Sequence, residues 1–120
     1  MLRRSLIAAV VFVALAAPAF AHHGWTSYLD TEFALDGVIE EASLGAPHGM
    51  LKVRSQGRLW DVMLAPPAAI QRSGLELRAV PRGARVTARG HRHTDPAKLE
   101  MKTERLTIAG KTYDLYPART

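Results

Sequence analysis

The stretch MLKVRSQGRLWDVMLAPPAAIQRSG, residues 50–74, decides the fold. It opens with Met50 to Arg54 and Arg58 to Leu64, two runs alternating apolar with polar side chains, the period of half-buried strands. Ser55-Gln56-Gly57 between them is a short hairpin signal. Leu51 and Val53 face one way, and Trp60, Val62 and Leu64 continue that apolar face on the partner strand. Pro66-Pro67 then stops the ladder and pre-sets φ for a helix start. Ala68 to Ser73 supplies about two helical turns, and Gly74 stands where a left-handed cap would end them.

Upstream, Phe33 to Leu44 reads as the first strand, with Phe33, Leu35, Gly37 and Ile39 on one face. Gly37 inside it marks a bulge or sharp bend, as in a strand that must curl. Gly45-Ala46-Pro47-His48-Gly49 breaks that strand. Downstream, Leu75, Leu77 and Val80 are packing residues of a connection, and Pro81-Arg82-Gly83 turns into a fourth strand, Arg85 to His93. Asp95-Pro96 turns the chain back into a fifth, Leu99 to Ile108. There Leu99 and Met101 lie on one parity, and Leu106 and Ile108 on the other. A strand cannot change its buried face without an extra residue, so a β-bulge is predicted near Thr103 to Arg105. Ala109-Gly110 leads to a short last strand, Thr112 to Leu115. Three strands, a short helix and then two or three strands is the order of an OB-like barrel. The expected class is therefore all-β with one short helix, a five- to six-stranded OB-like small barrel; a β-sandwich is the alternative.

Residues 1–21 have the three parts of a secretion signal. Arg3 and Arg4 supply the positive end, Leu6 to Ala17 is an uncharged apolar run, and Ala19-Phe20-Ala21 carries the small residues a signal peptidase accepts. The apolar run is about a dozen residues, short of the ~20 that span a bilayer, so no permanent membrane span is expected. Cleavage after Ala21 leaves one domain, residues 22–120, destined for the periplasm or beyond. Of the 16 basic residues, 14 then remain against 11 acidic ones, a formal charge of +3. These charges alternate with apolar residues rather than forming a block, which reads as solvated surface and excludes nucleic acid as a partner. The chain has no cysteine. Packing alone must hold the domain together, and any metal must be bound by imidazole, carboxylate, thioether or the amino terminus.

All five histidines, His22, His23, His48, His91 and His93, fall after the expected cleavage site. From His22 to Thr31 the chain reads as an arm that packs Trp25 and Tyr28 onto the barrel. His91 and His93, two residues apart on one strand, share a face opposite Val86, Ala88 and Gly90, and so look outward or toward the rim. Polar surface is the commoner explanation of His93, a loop role the commoner one of His48, and Met50 and Met63 read as core. A mature chain beginning at His22 gains a donor that an internal histidine lacks. Its α-amine and own imidazole form one chelate ring on Cu(II), and further imidazoles complete the tetragonal nitrogen site that copper prefers. The amine titrates near ~7.7–8.0, so metal and protons compete at neutral pH.

Three readings of function follow. The first is a small periplasmic protein binding a transition metal, copper ahead of zinc, through His22 with His23, His48, His91 and His93. The second is a structural or protein-interaction module of the cell envelope. The third is a zinc hydrolase using imidazoles on the metal and Asp61, Glu100 or Glu104 as base. No serine sits in an elbow-like motif and no glycine-rich phosphate loop occurs, which places binding ahead of catalysis. Arg54, Arg58, Arg85, Arg89, Arg92 and Arg105 recur along the strands and are expected to ion-pair across the sheet with Glu100 and Glu104.

The chain resembles a family of small exported bacterial proteins classed as a domain of unknown function. The resemblance rests on His22-His23-Gly24-Trp25, Gly37-Val38-Ile39, Ala46-Pro47-His48 and Gly90-His91, with Pro66-Pro67 to Gly74-Leu75 and Gly83-Ala84-Arg85-Val86 between them. Ala46 departs from the asparagine usual in that family. The resemblance implies a periplasmic β-barrel-like domain in which the histidines bind metal, and it brings no reaction with it. His93 lies outside the shared motifs.

Overall fold

In the computed structural model, residues 24–119 are described; the expected leader and His22 and His23 lie outside them. The hairpin forms as its sequence requires. β2 (Met50–Ser55) pairs antiparallel with β3 (Arg58–Met63), and Gln56 and Gly57 take positive φ in the turn between them. α1 follows at Pro67–Ser73, with Gly74 left-handed at its end. Ala69 and Ile70 of this helix are buried, so its apolar side seals the core.

β1 (Tyr28–Ser43) is the longest strand and serves two neighbours. Its first part pairs with β4 (Arg85–His93) and its second with β2, the change falling at Val38. Gly37 makes this crossing possible: a Cβ there would meet the Arg54 carbonyl oxygen and, at 2.6 Å, the Val53 side chain. A register shift between Ile39 and Glu41 then bends the strand further. β5 (Glu100–Ile108) lies antiparallel to β4 and parallel to β3, which closes a ring β1-β2-β3-β5-β4. β6 (Lys111–Asp114) extends the sheet beyond β5. This is the all-β, OB-like ring with one short helix that the sequence predicts.

One hydrophobic cluster fills the ring. Leu51, Val53, Val62, Met101 and Leu106 from three strands have no solvent exposure. The predicted change of face in β5 is resolved by a bulge. Arg89 pairs with Arg105 and Gly90 with Thr103, leaving Glu104 without a partner residue on β4. Met101 and Thr103 before it, and Leu106 and Ile108 after it, all reach the interior.

Three expectations are corrected. β1 begins at Tyr28 rather than Phe33. Tyr28 pairs with His93 and Glu32 with His91, so Leu29 to Thr31 loop out and interrupt the alternation that would have marked a strand. Leu77 is 60% exposed, because it opens a 3₁₀ turn, Leu77–Ala79, that points it away from the core its neighbours Leu75 and Val80 enter. The arginines pair elsewhere than expected: Arg89 and Arg105 share Glu32, and Arg54 pairs with Glu40. No helix among the described residues is long and apolar enough to cross a membrane.

Candidate functional site

The site is assembled where the two irregularities of the sheet meet. His91 sits opposite Glu32 on β1 and opposite Lys102 on β5, with its side chain on the outer face of the ring. The bulge in β5 adds one residue to the outer side, so Glu104 and Arg105 both emerge there. Glu104 thereby reaches His91, and its Oε1 lies 2.5 Å from His91 Nε2. The loop-out in β1 supplies the other contact, turning the Leu29 carbonyl oxygen to 2.8 Å from His91 Nδ1. One ligand atom each from Glu32, His91 and Glu104 lies within 4.8 Å of the others.

The outer face is not bare at this point. The Trp25 ring stands edge-on to the His91 ring at 5.6 Å and to the Tyr116 ring at 5.1 Å. Both the Leu115 and Tyr116 amides donate to the Glu104 carbonyl oxygen, which fixes the segment after β6 across the bulge. The 3₁₀ turn Pro117–Arg119 then carries the Arg119 guanidinium to 4.0 Å from the Trp25 centroid, with its Nε 3.6 Å from Glu104 Oε1. Under this cover His91 is only 6% exposed and Glu104 1%. The expectation that His91 looks outward to solvent is thus corrected: the face is the outer one, but the two ends of the domain bury it.

Both nitrogens of His91 face oxygens. A carbonyl can only accept, so Nδ1 carries a proton and donates it to Leu29. At 2.5 Å, Nε2 and Glu104 Oε1 must then share one further proton between them, the place a metal ion would take on displacing it. Glu104 Oε2 is buried with no hydrogen-bond partner among the described residues. A buried carboxylate oxygen left in that condition is costly and calls for a reason. Glu32 Oε1 accepts from Arg89 at 3.3 Å and Arg105 at 3.2 Å, and this side chain is the exposed member of the three. A tetrahedral ion with bonds near ~2.1 Å holds its donors roughly 3.4 Å apart, so a bound ion would part His91 Nε2 from Glu104 Oε1 and draw in the exposed Glu32 carboxylate by rotation.

Lys102 lies on the same face, its Nζ 5.0 Å from the Trp25 centroid and 5.8 Å from that of Tyr116. Burial, and then the Arg119 charge, hold this amine below its ordinary value of 10.5. Burial pushes the Tyr116 hydroxyl up, and burial together with its hydrogen bond to Glu100 pushes Tyr28 up. A depressed lysine means that the unfolded chain keeps a proton which the folded chain releases. Stability therefore rises with pH through the depressed value and levels off above 10.5. Wild type is expected to gain on Lys102→Met in urea titrations as pH is raised from neutrality toward 10, since Tyr28 titrates alike in both. A difference between the two proteins that does not change with pH would contradict this.

The other candidate ligands are placed apart. His48 is exposed in the loop that follows the cis Ala46-Pro47 peptide, its Nδ1 3.3 Å from the Gly49 carbonyl oxygen. Met50 is laterally removed from His91 by the pairs Met50–Met63, Met63–Lys102 and Lys102–His91. Three such steps at ~4.8 Å each put His48 beyond the reach of an ion on His91. His93 packs edge-on to Tyr28 at 5.5 Å and accepts the Asp95 amide proton at Nδ1, ending the strand rather than joining the cluster. Met50 and Met63 are half-buried rather than core. Glu32 carried no ligand signal in the sequence. Glu104 entered only as one of three candidate bases, and the bulge expected at Thr103 to Arg105 is the signal that could have singled it out, since it turns that carboxylate onto the histidine's face.

A search of curated proteins returns no match. The family model described as "Family of unknown function" matches residues 9–101, a span that holds every histidine and Glu32 but stops short of Glu104. On that match, which covers more than three quarters of its length, the chain belongs to the family of unknown function DUF6152.

Proposed function

We propose that this protein is a small exported metal-binding domain whose ion sits at His91, Glu104 and Glu32. The observation that carries the reading is the Glu104 carboxylate. One oxygen lies 2.5 Å from His91 Nε2, where a metal ion would displace the shared proton, and the other is buried and unpartnered among the described residues. Three donors leave coordination positions open. Trp25 is three residues beyond His22 and packs on His91, so an amino terminus created by cleavage after Ala21 starts within a few residues of the site. Its amine and imidazole would complete an N,O set of the kind Cu(II) takes in tetragonal geometry, which puts copper ahead of zinc. The compartment is the periplasm or the outside, and the role is binding rather than turnover.

Titrating the mature protein with Cu(II), followed by calorimetry and EPR, tests this. The expected result is one ion per chain, nitrogen hyperfine structure, and release of protons on loading. Glu104→Gln, which keeps the shape and removes the charge, is expected to weaken binding at least about tenfold. One extra residue before His22 is expected to weaken copper strongly and zinc less, because it converts the amine to an amide. Unchanged affinity in Glu104→Gln would end the reading. Unchanged affinity in the extended chain would remove the terminus and leave the rest.

A further inference from the structure

Arg119 occupies a place that the metal reading does not use. Its guanidinium stacks on Trp25 at 4.0 Å, and its Nε stands 3.6 Å from the same Glu104 oxygen that faces His91. We infer that Arg119 is the resident counter-cation of this site, and that a divalent metal and the guanidinium hold Glu104 alternately, so that loading frees the C-terminal turn from Trp25. This rests on the metal reading and adds a coupling between the site and the end of the domain.

The charges around the site require such an exchange. Glu32 already balances Arg89 and Arg105, so turning it onto the ion brings no uncompensated negative charge. Glu104 faces both His91 and Arg119, and the Lys102 ammonium stands over the same Trp25 ring at 5.0 Å. A divalent ion at Nε2 and Glu104 displaces one proton from between them, yet still leaves more positive charge than before. Like charges this close, in a covered site, repel strongly. One cation has to withdraw. Lys102 is held by β5 within the sheet. Arg89 and Arg105 are held within β4 and β5 and stay beside the Glu32 carboxylate whether or not it turns to the ion. Arg119 is the one with freedom to go: it ends a three-residue 3₁₀ turn, and its ion pair, at 3.6 Å, is longer than those of Arg89 and Arg105.

When it withdraws, the Trp25 face loses its stacked guanidinium, a contact of the cation–π kind. The coupling is reciprocal by linkage. Metal weakens the hold of the turn, and whatever strengthens the hold of the turn weakens metal.

The test uses the mature protein, Zn(II) as the probe, and Arg119→Gln beside wild type. Zinc is diamagnetic, so the Arg119 Nε–H resonance can be followed by NMR. Without metal that resonance is expected to be displaced upfield by the Trp25 ring. Stoichiometric zinc should return it to its unstructured position. Arg119→Gln should bind zinc about tenfold more tightly than wild type. If zinc binds while the resonance stays displaced and the variant's affinity matches wild type, the exchange is wrong and the metal site stands. If zinc and copper bind neither protein, the exchange and the proposed function fall together.

Discussion

Replacing His91 with alanine is expected to lower the free energy of unfolding by about 3–5 kcal/mol, the range seen when one partner of a buried charged pair is removed. The cause is what stays behind. Glu104 is 1% exposed, and His91 Nε2 is the group its Oε1 faces at 2.5 Å. Without the imidazole, that carboxylate keeps only the long contact to Arg119 at 3.6 Å, while Oε2 remains unpartnered. The Leu29 carbonyl loses its donor as well. A double replacement, His91→Leu with Glu104→Leu, should recover most of the loss, because it removes both polar groups and fills the space under Trp25. Urea denaturation of the three proteins measures this. If His91→Ala and the double variant were equally unstable, the cost would come from the cover over the pair rather than from the stranded charge.

Gly90→Ala is the second large effect, about 3 kcal/mol, at the upper end of what an inserted methyl costs in tight packing. A Cβ at position 90 would lie inside contact distance of the Lys102 carbonyl oxygen and 2.9 Å from Thr103 Cα. Both obstacles are backbone, so no rotamer change relieves them and β4 must separate from β5. That separation falls between His91 and the Glu104 bulge, so the proposed metal binding should weaken along with stability. Gly45→Ala is the control: its nearest neighbour is a serine hydroxyl at 3.9 Å, and its effect should be small. Thermal unfolding of the two variants, with zinc affinity measured on each, separates a local clash from a general intolerance of the glycines.

Much of this architecture is written in local pattern. The hairpin at Ser55-Gln56-Gly57, the helix after Pro66-Pro67, the Gly74 cap and the β4 boundaries all follow from periodicity and turn chemistry that act within a few residues. So does the bulge in β5, because the apolar parity changes within one strand. Ring closure by the parallel contact of Met63 with Lys102 carries no local signature, and was expected only from the order of the elements. The site shows the same division. His91 stands out as a candidate ligand, and the arm's rings are expected to pack. Glu32, however, lies in a stretch whose alternation is broken by the loop-out of Leu29 to Thr31, and Arg119 reaches Glu104 only through the fold. His48 shares the residue type and a loop setting that suits a ligand, yet three strand spacings separate it from the cluster. Distances across a sheet are set by strand order, which one-dimensional spacing does not contain.

Anomalous diffraction from crystals of the mature protein grown with one equivalent of copper or zinc tests the central claim most directly. An ion within roughly 2.1 Å of His91 Nε2, with a Glu104 oxygen in its coordination sphere, is the expected result. An ion held instead at His48 or His93, with Nε2 and Glu104 still facing each other across a proton, or no ion at all, would contradict it.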